Sequence, residues 1–210
     1  MISDTEIVNA CAASYHQPAT LARGPLDPYI VISTASDGET LLVINRGSVT
    51  APDWLRDFQF APIEIADLPQ LGRCHAGFMA SALKFLPAIM EAVGDRPAIY
   101  GGHSLGGAEA VAEAALMATQ GKPPAAIVTF GAPRVGMAAF VHFMSQYAVR
   151  QWVRGNDPVP DVPIYFAPDF EFLDTAARIL IGRPQVVRTS CHHIEGYQGD
   201  VAACLHKAAA

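Results

Sequence analysis

The stretch that decides the fold is Ala98-Ile99-Tyr100-Gly101-Gly102-His103-Ser104-Leu105-Gly106-Gly107, where an apolar run breaks on glycine and reopens into an alanine-rich segment. Residues 98–101 read as a short buried strand and residues 105–119 as a helix. Between them, Gly102-x-Ser104-x-Gly106 has a mechanical meaning. The serine occupies a sharp, strained turn, and glycine two residues to either side lets strand and helix pack that closely. Such a turn lifts the hydroxyl out of the sheet and sets it at a helix N-terminus, where backbone N–H groups and the helix dipole favour negative charge. An acyl-transfer intermediate needs help at that place. The plainer reading is a glycine-rich turn with an idle serine, and the strand–helix junction argues against it.

The flanking sequence extends this rhythm. Ser3-x-x-Glu6 is a capping-box pattern that opens a helix running to about Tyr15. Residues 29–33 and 40–45 are rich in β-formers and flank a turn at Asp37-Gly38, which predicts a hairpin. Residues 75–93 carry Phe78, Leu83, Leu86, Ile89, Met90 and Val93 at helical spacing, with a kink expected at Pro87. Downstream come a strand at 125–130, a helix at 137–147, a strand at 148–153 and a last helix at 194–207. Segments 163–174 and 179–189 are expected to add strand or hairpin material. No repeat or linker-like shift divides the chain, so residues 1–210 read as a single α/β domain. Its central sheet is mostly parallel, with helices on both faces, and such sheets bind ligands at the carboxyl ends of their strands.

Composition narrows the function classes. The 210 residues are 51% apolar and 16% charged, with a formal charge of −6. This is a core-forming chain, and disorder is excluded. Nucleic acid is not an expected partner, because no basic cluster offers a phosphate-binding face. Electrostatic docking on an anionic bilayer is disfavoured for the same reason. The start, Met1-Ile2-Ser3-Asp4-Thr5-Glu6, has two acids where a signal peptide needs basic residues, and no run approaches the roughly 18 uninterrupted apolar residues of a span. The default expectation is therefore a cytoplasmic protein. Cysteines 11, 74, 191 and 204 form no CxxC pair and are expected as reduced thiols, with a Cys11–Cys204 pairing as the alternative.

A serine hydroxyl needs a base, and the base needs an orienting acid. In this type of fold the chain order is serine, acid, histidine. Asp157, in Gly155-Asn156-Asp157-Pro158, follows a strand end and lies at the same sheet edge as Ser104; Asp161 is its nearest competitor. His192 and His193 precede the last helix, where a loop reaches back towards the serine, while His206 sits late in that helix. Adjacent residues point apart, so one of the two serves as base. A metal site at Cys191-His192-His193 is the rival, but contiguous ligands rarely converge. No cofactor and no metal is called for.

Taken in order, these residues resemble the class 3 (fungal-type) lipases of the α/β-hydrolase superfamily. Arg46-Gly47-Ser48 followed by Asp53-Trp54-Leu55 resembles the family's strand end leading into its lid. His75-Ala76-Gly77-Phe78 is similar to its His-x-Gly-Phe element, and Thr129-Phe130-Gly131-Ala132-Pro133-Arg134-Val135-Gly136 to its block after the nucleophile. Asn156-Asp157-Pro158-Val159-Pro160 resembles the segment bearing the acid. His192-x-Ile194-Glu195-x-Tyr197 is similar to the histidine segment of many relatives and favours His192, although the His-x-x-Tyr spacing of other members fits neither histidine.

The resemblance implies Ser104 as nucleophile, Asp157 as orienting acid and His192 as base. It implies the Leu105 backbone N–H and Ser48 as oxyanion donors. It also implies a lid over residues 49–60, with Trp54, Leu55 and Phe58 on one helical face and a transient contact with a lipid surface; an ordinary core-facing turn fits that segment too. Arg46, Arg134, His75 and His103 read as structural. Asn45 stands where the family usually has an apolar or aromatic residue, and the disulfides of secreted fungal members have no counterpart, which implies a smaller or different acyl groove. The implied activity is hydrolysis of acyl esters, acylglycerols first, without an obligate protein partner. The alternatives are a phospholipase A1 and a catalytically silent lipase-like module that binds acylated ligands.

Overall fold

The computed structural model describes residues 2–21, 29–47, 61–163 and 171–209. The chain begins with helix α1 (Asp4–Ala13), then enters the antiparallel pair β1 (Tyr29–Thr34) and β2 (Leu41–Arg46). A small second pair, β3 (Pro62–Glu64) and β4 (Arg73–His75), leads into α2 (Ala76–Val93). From there strand and helix alternate: β5 (Ala98–His103), α3 (Leu105–Thr119), β6 (Ala126–Phe130), α4 (Ala138–Met144) and β7 (Val149–Arg154). Strand β8 (Arg178–Ile181) and helix α5 (Ile194–Ala209) complete the described elements. The main sheet has the order β1-β2-β5-β6-β7-β8, parallel from β2 onward.

Side-chain alternation splits the core between the two faces of this sheet. Val43, Tyr100 and Ile127 point towards α2, α3 and α4. Ile44, Ile99, Val128, Phe130 and Trp152 point towards α1 and α5. Strands covered on both sides read as unbroken apolar runs, and β5 and β6 are buried at every residue. Helix α2 is long and apolar enough in composition to cross a membrane, but it turns Phe78, Met79, Ala82, Phe85, Ile89 and Val93 into the core. Pro87 lies within that continuous helix. Helix α3 is buried along almost its whole length, from Gly106 to Met117, and its alanines let sheet and α2 close on it from both sides.

Several expected boundaries shift for local reasons. The helix expected over 137–147 spans Ala138–Met144, because Ser145 ends it with bonds back to Val141 and His142. The strand material expected over 179–189 is confined to β8. Beyond Ile181 the Asn156 side chain holds Gln185 at both its N–H and its carbonyl, at 2.9 and 3.0 Å, and draws the chain out of the sheet. Of segment 163–174, residues 164–170 lie outside the described residues, and Leu173 makes an isolated bridge to Gly136. The four cysteines are free; Cys11 is buried and Cys204 exposed, so the alternative pairing is not made.

The acids at the start of the chain belong to the fold. Ser3 Oγ accepts from the Glu6 N–H, but the Glu6 carboxylate reaches across to the Ser36 N–H and hydroxyl at 2.7 and 2.6 Å, tying α1 to the β1–β2 turn. Asp4 is buried and accepts from the Arg150 guanidinium and from Trp152 Nε1 at 2.9 Å. Asp4→Ala leaves an indole N–H and a partly buried cation without an acceptor, and should lower stability by about 2–3 kcal/mol. The measurement is the urea midpoint at unchanged slope; a shift under about 0.5 kcal/mol would show that the contact carries no weight.

Candidate active site

Strands β5, β6 and β7 end in register, with His103 beside Phe130 and Phe130 beside Trp152, so the turns after them share one edge of the sheet. At the first of these turns Ser104 has φ 58° and ψ −133°, and it is the one non-glycine residue with positive φ among the described residues. The turn is tight enough that a Cβ on Gly102 would collide with the Gly106 backbone, and one on Gly106 with the Asn45 carbonyl. The Ser104 N–H donates to the Phe130 carbonyl at 3.0 Å, which pins the turn to the next strand.

The turn after β7 brings Asp157, and a short 3-10 turn before α5 brings His192. The His192 ring bonds Ser104 Oγ through Nε2 and Asp157 Oδ2 through Nδ1, each at 2.8 Å. Asp157 is fully buried at its carboxyl group. It also accepts from the Tyr197 hydroxyl at 2.7 Å on Oδ2 and from the Val159 N–H at 2.9 Å on Oδ1. A carboxylate that already accepts twice leaves the proton on His192 Nδ1, so Nε2 is the acceptor for the serine hydroxyl. Tyr197 in turn accepts from the Arg154 N–H, and burial together with the Asp157 charge holds its phenol well above the ordinary range. Gly131, at φ +61°, forms the floor of this pair. A Cβ there would stand 2.7 Å from Asp157 Oδ2 and 3.1 Å from His192 Nδ1.

His103 links the site to α1. One ring nitrogen, Nε2, lies 2.6 Å from the His192 carbonyl oxygen, and Nδ1 lies 2.8 Å from the Tyr15 hydroxyl. Burial, with the neighbouring His192, drives its pKa down to about 3. The ring is therefore neutral: Nε2–H donates to the carbonyl and Nδ1 accepts from Tyr15. His75 caps α2 by accepting from the Phe78 N–H, and burial lowers it to about 4. Arg134 is occupied by Asp174 and by the carbonyls of Asp161 and Pro163. Arg46 lies over the Tyr29 ring at 3.7 Å.

The structure thus brings together Ser104, Asp157 and His192, and it separates their competitors. Asp161 is paired with Arg178 and Arg188. His193 and His206 are exposed. Cys191 turns to Asn156 while His192 turns to the site, and among the described residues no group of three His, Cys, Asp or Glu side chains is placed to hold a metal ion. Leu105 is the first residue of α3, where a backbone N–H has no partner within the helix. Ser48, Trp54, Leu55 and Phe58 lie outside the described residues. Sequence reasoning missed the roles of Tyr15 and Tyr197. Tyr197 stood within the histidine motif, five residues after His192, whereas nothing local to Tyr15 signals its contact with a strand end far along the chain.

A family model described as lipase (class 3) matches residues 42–166. The chain is 31% identical over 141 residues to a secreted mono- and diacylglycerol lipase of Fusarium solani, covering 63% of this chain and 42% of that protein. It is 26% identical over 165 residues to a secreted mono- and diacylglycerol lipase of Penicillium cyclopium, covering 75% and 53%. The chain thus spans about half the length of these relatives. Among solved structures, a variant of MDLA from Penicillium cyclopium superposes with a TM-score of 0.71 at 19% identity, over 90% of each chain. The Rhizomucor miehei lipase in complex with its propeptide gives 0.69 at 22% identity, over 84% of this chain and 67% of that one. The fold is that of the α/β-hydrolases. These relatives overturn the default placement in the cytoplasm, because the matched mono- and diacylglycerol lipases are secreted. The acids that prompted that placement hold α1 to the sheet and to the β1–β2 turn. With the family model matching more than half of its residues, the chain belongs to the class 3 lipases.

Proposed function

We infer that this protein hydrolyses carboxylic esters of acylglycerols, its 210 residues acting as one unit, with Ser104 as nucleophile, His192 as general base and Asp157 as the acid that orients it. The observation that carries this reading is the unbroken run from Ser104 Oγ through His192 to Asp157, 2.8 Å at each link. Ser104 attacks the acyl carbonyl and its proton passes to His192 Nε2. The Asp157 carboxylate stabilises the imidazolium so formed. Negative charge collects on the former carbonyl oxygen at the N-terminus of α3, where the Leu105 N–H is the donor in reach and Ser48 is the second donor implied by the family resemblance. Collapse expels the alcohol, which takes the proton from Nε2 and leaves an acyl-enzyme. Water deprotonated by His192 then hydrolyses it.

Neutral His103 serves this cycle. Its ring lies 4.7 Å from that of His192, and a charge there would oppose imidazolium formation. The acidic balance of the chain suits a neutral acyl substrate, and the names of the Fusarium and Penicillium relatives point to mono- and diacylglycerols. Ser104 is only 1% exposed, so the reaction requires an opening above it. Trp54, Leu55 and Phe58, set among Asp53, Arg56 and Asp57, give residues 49–60 the composition of a flap that opens on lipid.

Hydrolysis of a short p-nitrophenyl ester tests the reading directly. Ser104→Ala should reduce kcat at least about 10³-fold. Equal rates in the two proteins would sink the proposed mechanism. His192→Ala should fall similarly, while His193→Ala should stay within about two-fold of wild type; loss in the second variant alone would reverse the assignment. For the flap, the rate against substrate concentration should rise steeply once the ester forms micelles, and a smooth saturation curve through that point would count against it.

A further inference from the structure

The helix that starts beside Ser104 carries two glutamates one turn apart, Glu109 and Glu113, and both are buried, Glu113 with no exposed surface. The proposed hydrolysis uses neither. Asn45 Nδ2 donates to Glu113 Oε2 at 2.6 Å. Yet Asn45 Oδ1, Glu113 Oε1 and Glu109 Oε2 are buried without a hydrogen-bond partner among the described residues. Two leftover oxygens, one on each member of a bonded pair, are two acceptors with no donor between them. A proton on Glu113 Oε1, turned to Asn45 Oδ1, would supply that donor and make the contact an acid–amide pair in which each partner gives and accepts one bond. Burial favours the same proton, pushing Glu113 up to about 8 and Glu109 well above the usual carboxylate range, the latter also through its Glu113 neighbour.

The position of Asn45 gives this pair a consequence. Asn45 is the penultimate residue of β2, directly before Arg46-Gly47. Its main chain lies against Gly106, where a Cβ would collide with it, and its side chain is held by Glu113. Gly106 and Glu113 are seven residues apart, two turns along one face of α3. The helix therefore grips the end of β2 at two points. Just beyond, a Cβ on Gly47 would stand 3.1 Å from that of Ser104. We propose that Glu113 is a positioning residue: through its acid–amide pair with Asn45 it fixes the end of β2 on α3 and holds the Arg46-Gly47 turn at its distance from Ser104. The proposal rests on the hydrolytic reading of Ser104 given above.

The titratable groups that face Glu113 are Glu109 on its own helix and Tyr100 from β5; Asn45 from β2 and Ser81 from α2, which faces Glu109, are polar and uncharged. Among the described residues no cation acts on Glu113 to hold its ionised form. The folded protein keeps the Glu113 proton to higher pH than the unfolded chain does. Stability is then full below the ordinary carboxyl range, declines as pH rises from there to about 8, and levels off once the folded form ionises as well.

The experiment compares wild type, Glu113→Gln, Glu113→Leu, Asn45→Ala and Ser104→Ala on a soluble short ester from about pH 6 to about pH 9.5, with thermal melting over the same range. Glutamine offers an N–H and a carbonyl at every pH, so Glu113→Gln should keep kcat near neutrality and lack the wild-type fall above about pH 8. Glu113→Leu should lower kcat about 10- to 100-fold with KM little changed, the mark of a misplaced site and not of a lost binding contact. Wild-type kcat in folded Glu113→Leu and Asn45→Ala, or a Glu113→Gln profile that falls as wild type does, overturns the proposal. Should Glu113→Leu fail to fold, Asn45→Ala, which deletes only the amide, stands in its place under the same criteria. If hydrolysis does not depend on Ser104, the functional reading falls and the positioning role falls with it. The acid–amide pair is read separately, as a smaller alkaline loss of melting temperature in Glu113→Gln than in wild type.

Discussion

A serine held in the left-handed region is the constraint on which the rest of this molecule is built. Ser104 at φ 58° costs of order 1–3 kcal/mol relative to a relaxed residue, and it persists because its neighbours leave it no alternative. Its N–H is taken by Phe130, and the Gly107 N–H donates back to its carbonyl. Gly102 and Gly106 allow the strand and helix on either side to touch. The alanines of α3 extend the same logic down the helix, since only small side chains let an element buried on all sides approach both the sheet and α2. Strain at one residue and burial of an entire helix are thus parts of one arrangement.

The two faces of the sheet divide the remaining work. The α2–α3–α4 face holds the larger core, and α3 presents the serine from it. The α1–α5 face brings Tyr15 from the end of α1, and His192 and Tyr197 from the start of α5, onto the β5 and β7 edges. Helices from the two ends of the chain therefore meet at the site, with His103 as the link between Tyr15 and the backbone of His192. Hydrogen atoms on Tyr15, His103 and Tyr197 thus lie around the run of Ser104, His192 and Asp157.

What was legible in the sequence follows from how locally each feature is determined. The strained turn is local, so the glycines around Ser104 announced the strand–helix junction, and the alternation of strand and helix along the chain announced the α/β architecture. Asp157 was legible because a strand end in a parallel sheet sets its edge, but setting Asp161 aside needed Arg178 and Arg188, partners that approach from elsewhere in the chain. His192 and His193 are indistinguishable by residue type. A short 3-10 turn over Arg188–His192 buries the first and leaves the second in solvent. Tyr15 was silent because its contact spans 88 residues. Of residues 179–189, read as strand or hairpin material, only 179–181 belong to β8, because the Asn156 side chain, which no local pattern announces, holds Gln185 and draws the chain out of the sheet.

Asn45 shows how a departure from a family pattern becomes intelligible only in three dimensions. A polar residue at the end of the buried run Leu41–Asn45 conflicts with its surroundings, and an acid in the middle of an alanine-rich helix conflicts with the burial of that helix. Taken one at a time, each is an unexplained cost of burial. Together they share a hydrogen bond of 2.6 Å, and the proposed proton on Glu113 would supply the donor that the Asn45 carbonyl oxygen lacks. A hydrophobic pair of the same volume would hold strand and helix together at least as firmly. What a hydrogen-bonded pair adds is direction: the bond from Asn45 to Glu113, together with the second that the proposed proton on Glu113 would donate, sets the angle as well as the distance between the end of β2 and α3.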